Sequence, residues 1–315
     1  MHLPRLFVLL SALAGCLAAA PPSPTPSALP QIRVLVDADT ANEVDDLFAI
    51  TRAFSEPRFN VVALTGSQYV RQNQAPPDSA ARSHKLNQRL LAVMGRSVPT
   101  AEGSNTAMLD DGAPIDSPAA RLIIEHARAA TPQDPLYVFT LGAVTNVASA
   151  IRLAPDIVPN LRLWSIMLKY DEASGWRREE FNANNDQNAV DVLFSTPGLD
   201  LTIMTANASG HLKFSRTQVD EKLANRSDLG RFLVAYWDDY VGRMTWNNET
   251  WTKDRSWIMF DVALVESLLD PTLAELRRVP PPALTNGNTP VPEVKVFTRI
   301  DAAGMTKRFW HHVAP

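Results

Sequence analysis

Residues 34–50 read VLVDADTANEVDDLFAI and set five carboxylates, Asp37, Asp39, Glu43, Asp45 and Asp46, within ten positions. Like charges this close repel one another. A solvated acidic turn leading into a helix, whose N-terminus favours Asp, accounts for Asp45 and Asp46. It does not account for Asp37 and Asp39 at the end of an otherwise apolar run. A hard divalent cation explains the set better, with Glu43 left unassigned. Ca²⁺ takes several oxygen ligands at about 2.3–2.6 Å, and carboxylates supply both ligand atoms and compensating charge. The segment is not an EF-hand loop, because Ala41 stands at the fifth position and Asn42 where the turn glycine is needed. It also departs from the DxDxT motif of haloacid-dehalogenase-type phosphatases, since Thr40 falls three residues after Asp37 rather than four.

These residues need a scaffold, and the chain predicts one. Nearly continuous apolar runs at 32–37, 60–65, 136–141, 161–168 and 199–205 suit strands buried on both faces of a parallel sheet. Helical patterns fall between them at 45–55, 80–95, 117–130, 144–153 and 187–195. Strand–helix alternation implies a three-layer α/β domain with a Rossmann-like, mostly parallel sheet flanked by helices. After residue 215 the pattern turns helical, at 217–226, 229–244 and 258–269. A small β-hairpin is expected at 293–311 around Ala302-Ala303-Gly304. The acidic cluster follows the first strand, and ligands in such sheets bind beyond the carboxyl ends of the strands.

Four motifs in order resemble the inosine–uridine-preferring nucleoside hydrolases. Asp37-Ala38-Asp39 followed by Asn42-Glu43-Val44-Asp45-Asp46 is similar to the family's DTDxGxDD in a version stretched by two residues. Leu141-Gly142-Ala143-Val144-Thr145-Asn146-Val147-Ala148 is close to LGPLTNIA. Glu180-Phe181-Asn182 with Asp186 resembles EFNxxxDPEAA, and Phe260-Asp261-Val262-Ala263 stands against HDPxA. The resemblance implies a Ca²⁺ site made by Asp39, Asp46, Asp261 and the backbone carbonyl of Leu141, with Asp37 as a partner. It implies Asp39 as the general base that takes a proton from the attacking water. Asp45, Glu180 and Asn182 would bind the ribose hydroxyls of a nucleoside. The implied reaction is hydrolysis of an N-glycosidic bond through an oxocarbenium-like state. Thr145 and Asn146 are read as a cap for the following helix. Dimers or tetramers are common in such a family, so a homodimer or homotetramer is expected.

Three departures bear on the substrate. Phe260 replaces the family's His, which often protonates the leaving base. Ile166-Met167-Leu168-Lys169-Tyr170 stands where a Gly-Gly ends the fifth strand. Gly66-Ser67-Gln68-Tyr69 replaces the family's AGN. Neither His84, His126 nor His211 falls in a substitute motif. Trp246 and Trp251, in TWNNETWTKD, are candidates to stack on a base. Loss of the His keeps a second possibility open, a Ca²⁺-dependent ribosyl-ligand binding protein without turnover.

The N-terminus is a separate object. MHLPRLFVLLSALAGC has one arginine, a short apolar stretch and small residues, the pattern of a secretory signal over 1–15. Leu13-Ala14-Gly15-Cys16 matches the lipobox of bacterial lipoproteins, which makes Cys16 the lipidated N-terminus of a mature chain. Residues 16–30, ending in PPSPTPSALP, read as an extended tether, and the folded domain runs over 31–315. Membrane contact is expected through that lipid alone, at the outer membrane or cell surface, because Leu17 gives no retention signal. Cys16 is the single cysteine, so no disulfide forms within the chain. The net charge of −4 gives no basic footprint for nucleic acid. Sequons at Asn207, Asn225 and Asn248 are read as chance matches.

Overall fold

A computed structural model describes residues 31–70, 75–109, 112–244 and 255–314. The expected signal segment, Cys16, the tether, Trp246 and Trp251 lie outside the described residues. The first half runs β1 (Ile32–Ala38), α1 (Asp45–Ser55), β2 (Phe59–Gly66), α2 (Ser79–Val93), β3 (Thr100–Glu102), α3 (Pro118–Arg128), β4 (Leu136–Thr140), α4 (Thr145–Leu153) and β5 (Leu161–Ile166). A hairpin of β6 (Lys169–Asp171) and β7 (Gly175–Arg177) follows, then α5 (Phe181–Asn185), α6 (Gln187–Phe194), β8 (Asp200–Met204), α7 (Ala206–Ser209), β9 (Lys213–Ser215) and α8 (Arg216–Val219). The chain continues with α9 (Asp228–Arg243), β10 (Ser256–Ile258), α10 (Phe260–Leu269), β11 (Ala274–Val279), β12 (Val294–Ile300) and α11 (Ala302–Val313).

Eight strands form one sheet in the order β11-β12-β8-β5-β4-β1-β2-β3. All its pairings are parallel except β11 with β12. The expected fold class is therefore present. Alternation along β1 sends Val34, Val36 and Ala38 into one core layer with α1, α9, α10 and α11. Leu35 joins the opposite layer with α3, α4 and α6. The order of connection reverses at β1, which has β2 on one side and β4 on the other, and ligands bind at such a switch point.

The expected hairpin at 293–311 is corrected in its second half. Residues 294–300 are a strand, but its antiparallel partner is 274–279, and 302–313 form a helix. Met305, Phe309 and Trp310 recur at helical spacing and are buried. Asp301 accepts from the Gly304 backbone N–H at 3.0 Å and caps the helix. Gly304 is an internal helix residue placed for close approach, since a Cβ there would lie 2.6 Å from the Asp301 carboxylate. The helix expected at 217–226 is one α-helical turn continuing as a π-helical segment over Asp220–Ala224.

Candidate active site

The carboxyl ends of β1 and β4 and the N-termini of α1 and α10 meet around a cavity of about 250 Å³. Asp39, Asn42, Glu43, Asp45, Asp46, Leu141, Glu180, Asn182, Phe260 and Asp261 line it, with Lys169 as the one cation among its lining residues. Asp45, Asp46 and Asp261 each present an oxygen, and these lie within 4.8 Å of one another. The Asp261 backbone N–H donates to Asp45 Oδ2 at 3.2 Å, which ties α10 to α1. Both helices therefore aim their positive ends at the cluster.

Asp39, Asp45, Asp46 and Asp261 are almost wholly buried. Among the described residues Asp39 Oδ2 and Asp46 Oδ1 have no hydrogen-bond partner, nor does the buried Asn42 Oδ1. Burial pushes the carboxyls of Asp39, Asp46 and Asp261 well above their usual range, and the neighbouring carboxylates push further. Burial raises Asp45 to about 6, while Glu43, half-buried beside Asp45, is raised to about 8. Gly142 makes the approach of Asp39 possible, because a Cβ there would sit 2.7 Å from the Asp39 carboxyl.

A divalent cation fits this set. Oxygens about 2.4 Å from a common ion can lie up to about 4.8 Å apart, within the Ca²⁺ range. Buried charged oxygens without partners also require a counter-charge. Asp46 and Asp261 share the cluster with Asp45, which the resemblance assigned to the sugar. Asp39 and the Leu141 segment border the same cavity. Asp37 lies behind it. Its Oδ1 accepts from Thr65 Oγ1 at 2.7 Å and Asn146 Nδ2 at 2.9 Å, and burial raises it to about 6.

The predicted sugar contacts are partly committed elsewhere. Glu180 Oε1 accepts from Asn182 N, and Oε2 accepts from Leu168 N and Ala183 N, so the carboxylate caps α5. Asn182 Nδ2 donates to the carbonyls of Leu141 at 2.7 Å and Ile166 at 2.9 Å, bridging the ends of β4 and β5. Its Oδ1 is the atom left for a ligand. Leu168 follows, buried at φ +63°, at the place of the family's Gly-Gly. A left-handed leucine costs roughly 1–2 kcal/mol.

Thr145 and Asn146 are not helix caps. Val144 holds that position, and neither side chain serves it. Thr145 Oγ1 donates to Asp186 at 2.7 Å, and Asn146 holds Asp37 and the Gly66 carbonyl. Gln68 turns away from the cavity to donate to Thr145 and Asn185. Sequence reasoning missed Asn42, Lys169 and two phenols. Tyr69 donates to the Ala41 carbonyl and Tyr236 to the Thr40 carbonyl, each at 3.2 Å, so they clamp the stretched loop after Asp39. The loop's two extra residues were the available signal, since an insertion beside a reactive carboxylate needs restraint.

Fold and site together define a doubly wound α/β protein with a metal-capable carboxylate pocket at its switch point. Over residues 34–307 the chain matches the inosine-uridine preferring nucleoside hydrolases, and it belongs to that family. No curated protein matches it by sequence. Among solved structures it is similar to the purine-preferring ribonucleoside hydrolase from Gardnerella vaginalis, at 19% identity and TM-score 0.66 over 90% of this chain and 98% of that one. An inosine-guanosine nucleoside hydrolase gives 18%, 0.68, 90% and 98%. The effector protein XOO4466 gives 13%, 0.67, 91% and 93%. At such identities the likeness is one of fold.

Proposed function

We propose that the protein is a Ca²⁺-dependent N-ribosyl hydrolase that splits a ribonucleoside or related N-riboside into base and ribose. The observation that carries this is the pair of buried, unpartnered carboxylate oxygens on Asp39 and Asp46 beside the Asp45–Asp46–Asp261 cluster. Asp39, Asp46 and Asp261, with Asp45 and the Leu141 carbonyl at hand, would hold the cation. A bound cation would supply binding for a vicinal diol and would acidify nearby water. Asp39 takes the proton of the attacking water through Oδ2. Asn182 Oδ1 and Asp45 orient the sugar, and the carboxylate field favours positive charge developing on the ring. Asp37, held by Thr65 and Asn146, keeps β1 in place behind Asp39.

Base release from a panel of nucleosides in Ca²⁺ tests the reading, with Asp39→Asn losing at least about a hundredfold as a general-base variant should. No release from any substrate, alongside Ca²⁺-dependent nucleoside binding, would sink turnover in favour of ribosyl-ligand capture. Phe260 in the cavity wall is the feature favouring that second reading. We also propose export as a Cys16-linked lipoprotein that returns base and ribose for salvage. Cys16→Ala should then move the protein from the membrane fraction to the soluble one, and retention of the variant on membranes would refute the anchor.

A further inference from the structure

A second cavity opens beside the acidic one. A groove of about 810 Å³ runs between α2 and α9 and meets the carboxylate pocket at Asn42, which lines both. Asn42 is buried, and its Oδ1 has no partner among the described residues. The electrostatics reverse across this residue. Arg82, Lys85 and Arg89 face the groove from α2 at spacings of three and four, and Arg243 faces it from α9, with Asp239 as the one carboxylate in its lining. Arg82 pairs with Asp78 and Arg243 with Asp239, each at 2.8 Å. Among the described residues Lys85 and Arg89 make no close ion pair, although Lys85 is near enough to Asp78 to help lower its carboxyl. The Arg89 guanidinium lies 5.6 Å over the Phe232 ring, and its donors have no hydrogen-bond partner among the described residues.

Among the described residues a departing heterocycle meets no histidine here, although the Glu43 carboxyl, raised to about 8, and Lys169 line the carboxylate pocket. Phe260 is apolar, and the phenols of Tyr69 and Tyr236 already donate to loop carbonyls. As the C1′–N bond breaks, both electrons leave with nitrogen. The water oxygen bonds to C1′ and its proton passes to Asp39, while negative charge develops on the departing heterocycle, which takes its proton from the pocket wall or from solvent. Fixed cations beside the leaving group stabilise such a charge.

Resting on the hydrolase reading, we propose that the α2–α9 groove receives the leaving group and selects N-ribosides whose heterocycle carries a ring carboxylate, with Lys85 and Arg89 as the selecting cations. Both side chains are exposed, so their replacement leaves the core intact.

The matched probes are uridine and 5-carboxyuridine, which differ by one carboxylate not adjacent to the glycosidic bond. Base release and calorimetric binding in Ca²⁺ are measured for wild type, Lys85→Gln/Arg89→Gln and the charge-retaining Lys85→Arg/Arg89→Lys. Wild type should favour 5-carboxyuridine by about tenfold, the scale of a few partly screened charge contacts. That ratio should fall to near one in the Gln double variant and persist in the charge-retaining one. It should also shrink when salt is raised tenfold, which shortens the screening length about threefold. Turnover of both ribosides without preference overturns the inference and leaves the hydrolase reading standing. Tighter, salt-sensitive binding of 5-carboxyuridine without turnover of either supports the groove and overturns the hydrolase reading. Absence of binding by either probe overturns the inference.

Discussion

Helix α1 carries buried charge at both ends, and the two ends are built on opposite terms. At its C-terminal end Arg52 is fully buried, donating to Glu266 at 2.5 Å and to Glu56 at 3.0 Å. Arg308 also reaches Glu266, at 3.2 Å, and Asp270, at 3.5 Å, while Arg58 reaches Glu56 at 2.7 Å. Arg52, Arg58 and Arg308 thus stand against Glu56, Glu266 and Asp270, three against three. At the N-terminal end Asp45 and Asp46 join Asp37, Asp39 and Asp261, and Lys169 is the one cation in the cavity lining. The first cluster is balanced within the chain and clamps α1, α10 and α11 together. The second lacks a counter-charge, and a buried charge without one is costly. An imbalance kept in a cavity at the switch point marks function, whereas a balanced set marks architecture.

The largest effect should separate the two ends by sign. Arg52→Met leaves Glu56 and Glu266 short of a buried partner and should cost about 3–5 kcal/mol in urea unfolding. Asp39→Asn in metal-free protein removes a repelled charge and should stabilise on the order of 1 kcal/mol. Two losses of similar size would erase the distinction. Ca²⁺ comes next: at about a hundred times its dissociation constant it should add about 2.7 kcal/mol. Asp261→Asn should abolish that increment. Milder weakening of the other cluster, by Arg308→Gln, should leave it in place.

Acid should pull the ends apart over different pH windows. Burial raises Asp37 to about 6 from 3.8, against its bonds from Thr65 and Asn146. Its favourable contribution is therefore complete below about 3.8 and is lost as pH rises through 6, roughly 3 kcal/mol in all. Burial would raise Glu56 too, but Arg58 and Arg52 outweigh it and hold the carboxyl at about 2 against 4.5. That contribution is complete above 4.5 and is lost as pH falls toward 2. Metal-free protein should gain stability from pH 6.5 to 4.5 and lose it below 4, seen in thermal midpoints. A monotonic decline from pH 6.5 downward would contradict the acidic pocket's role.

The same contrast explains what the sequence made legible. Apolar runs set β1, β2, β4, β5 and β8 within a residue or two, because strands buried on both faces need continuous apolar character. The Asp37–Asp46 crowding was visible because five carboxylates beside an apolar strand contradict ordinary burial. Short edge and hairpin strands such as β3, β6, β7, β9 and β10 carry too few residues for a pattern. Helix α11 was mistaken for a strand because Ala302-Ala303-Gly304 looks like a turn until Asp301 is seen capping it. The Arg52 network stayed hidden, since Arg52 and Glu266 are 214 positions apart. Thr145 and Asn146 were read locally, whereas their partners Asp186 and Asp37 come from other strands and helices.

The smallest effect tests how an unbalanced cluster is kept in place. No ion pair holds the loop after Asp39 among the described residues. Neutral donors do so instead: Tyr69 to Ala41, Tyr236 to Thr40, and Thr40 Oγ1 to Asn87 at 2.5 Å. Removing a phenol hydroxyl leaves a carbonyl short of its partner and should cost about 1 kcal/mol of stability. Tyr236→Phe should therefore shift unfolding by about that amount, with a salt dependence confined to the bond its hydroxyl shares with Arg243. Arg308→Gln, acting on a half-exposed ion pair of the balanced cluster, should shift unfolding by an amount that shrinks as salt rises. Tyr236→Phe should also weaken Ca²⁺ binding several-fold, because the loop it releases carries Asp39. Unchanged Ca²⁺ affinity alongside the stability loss would show that the phenol packs α9 without positioning the carboxylate.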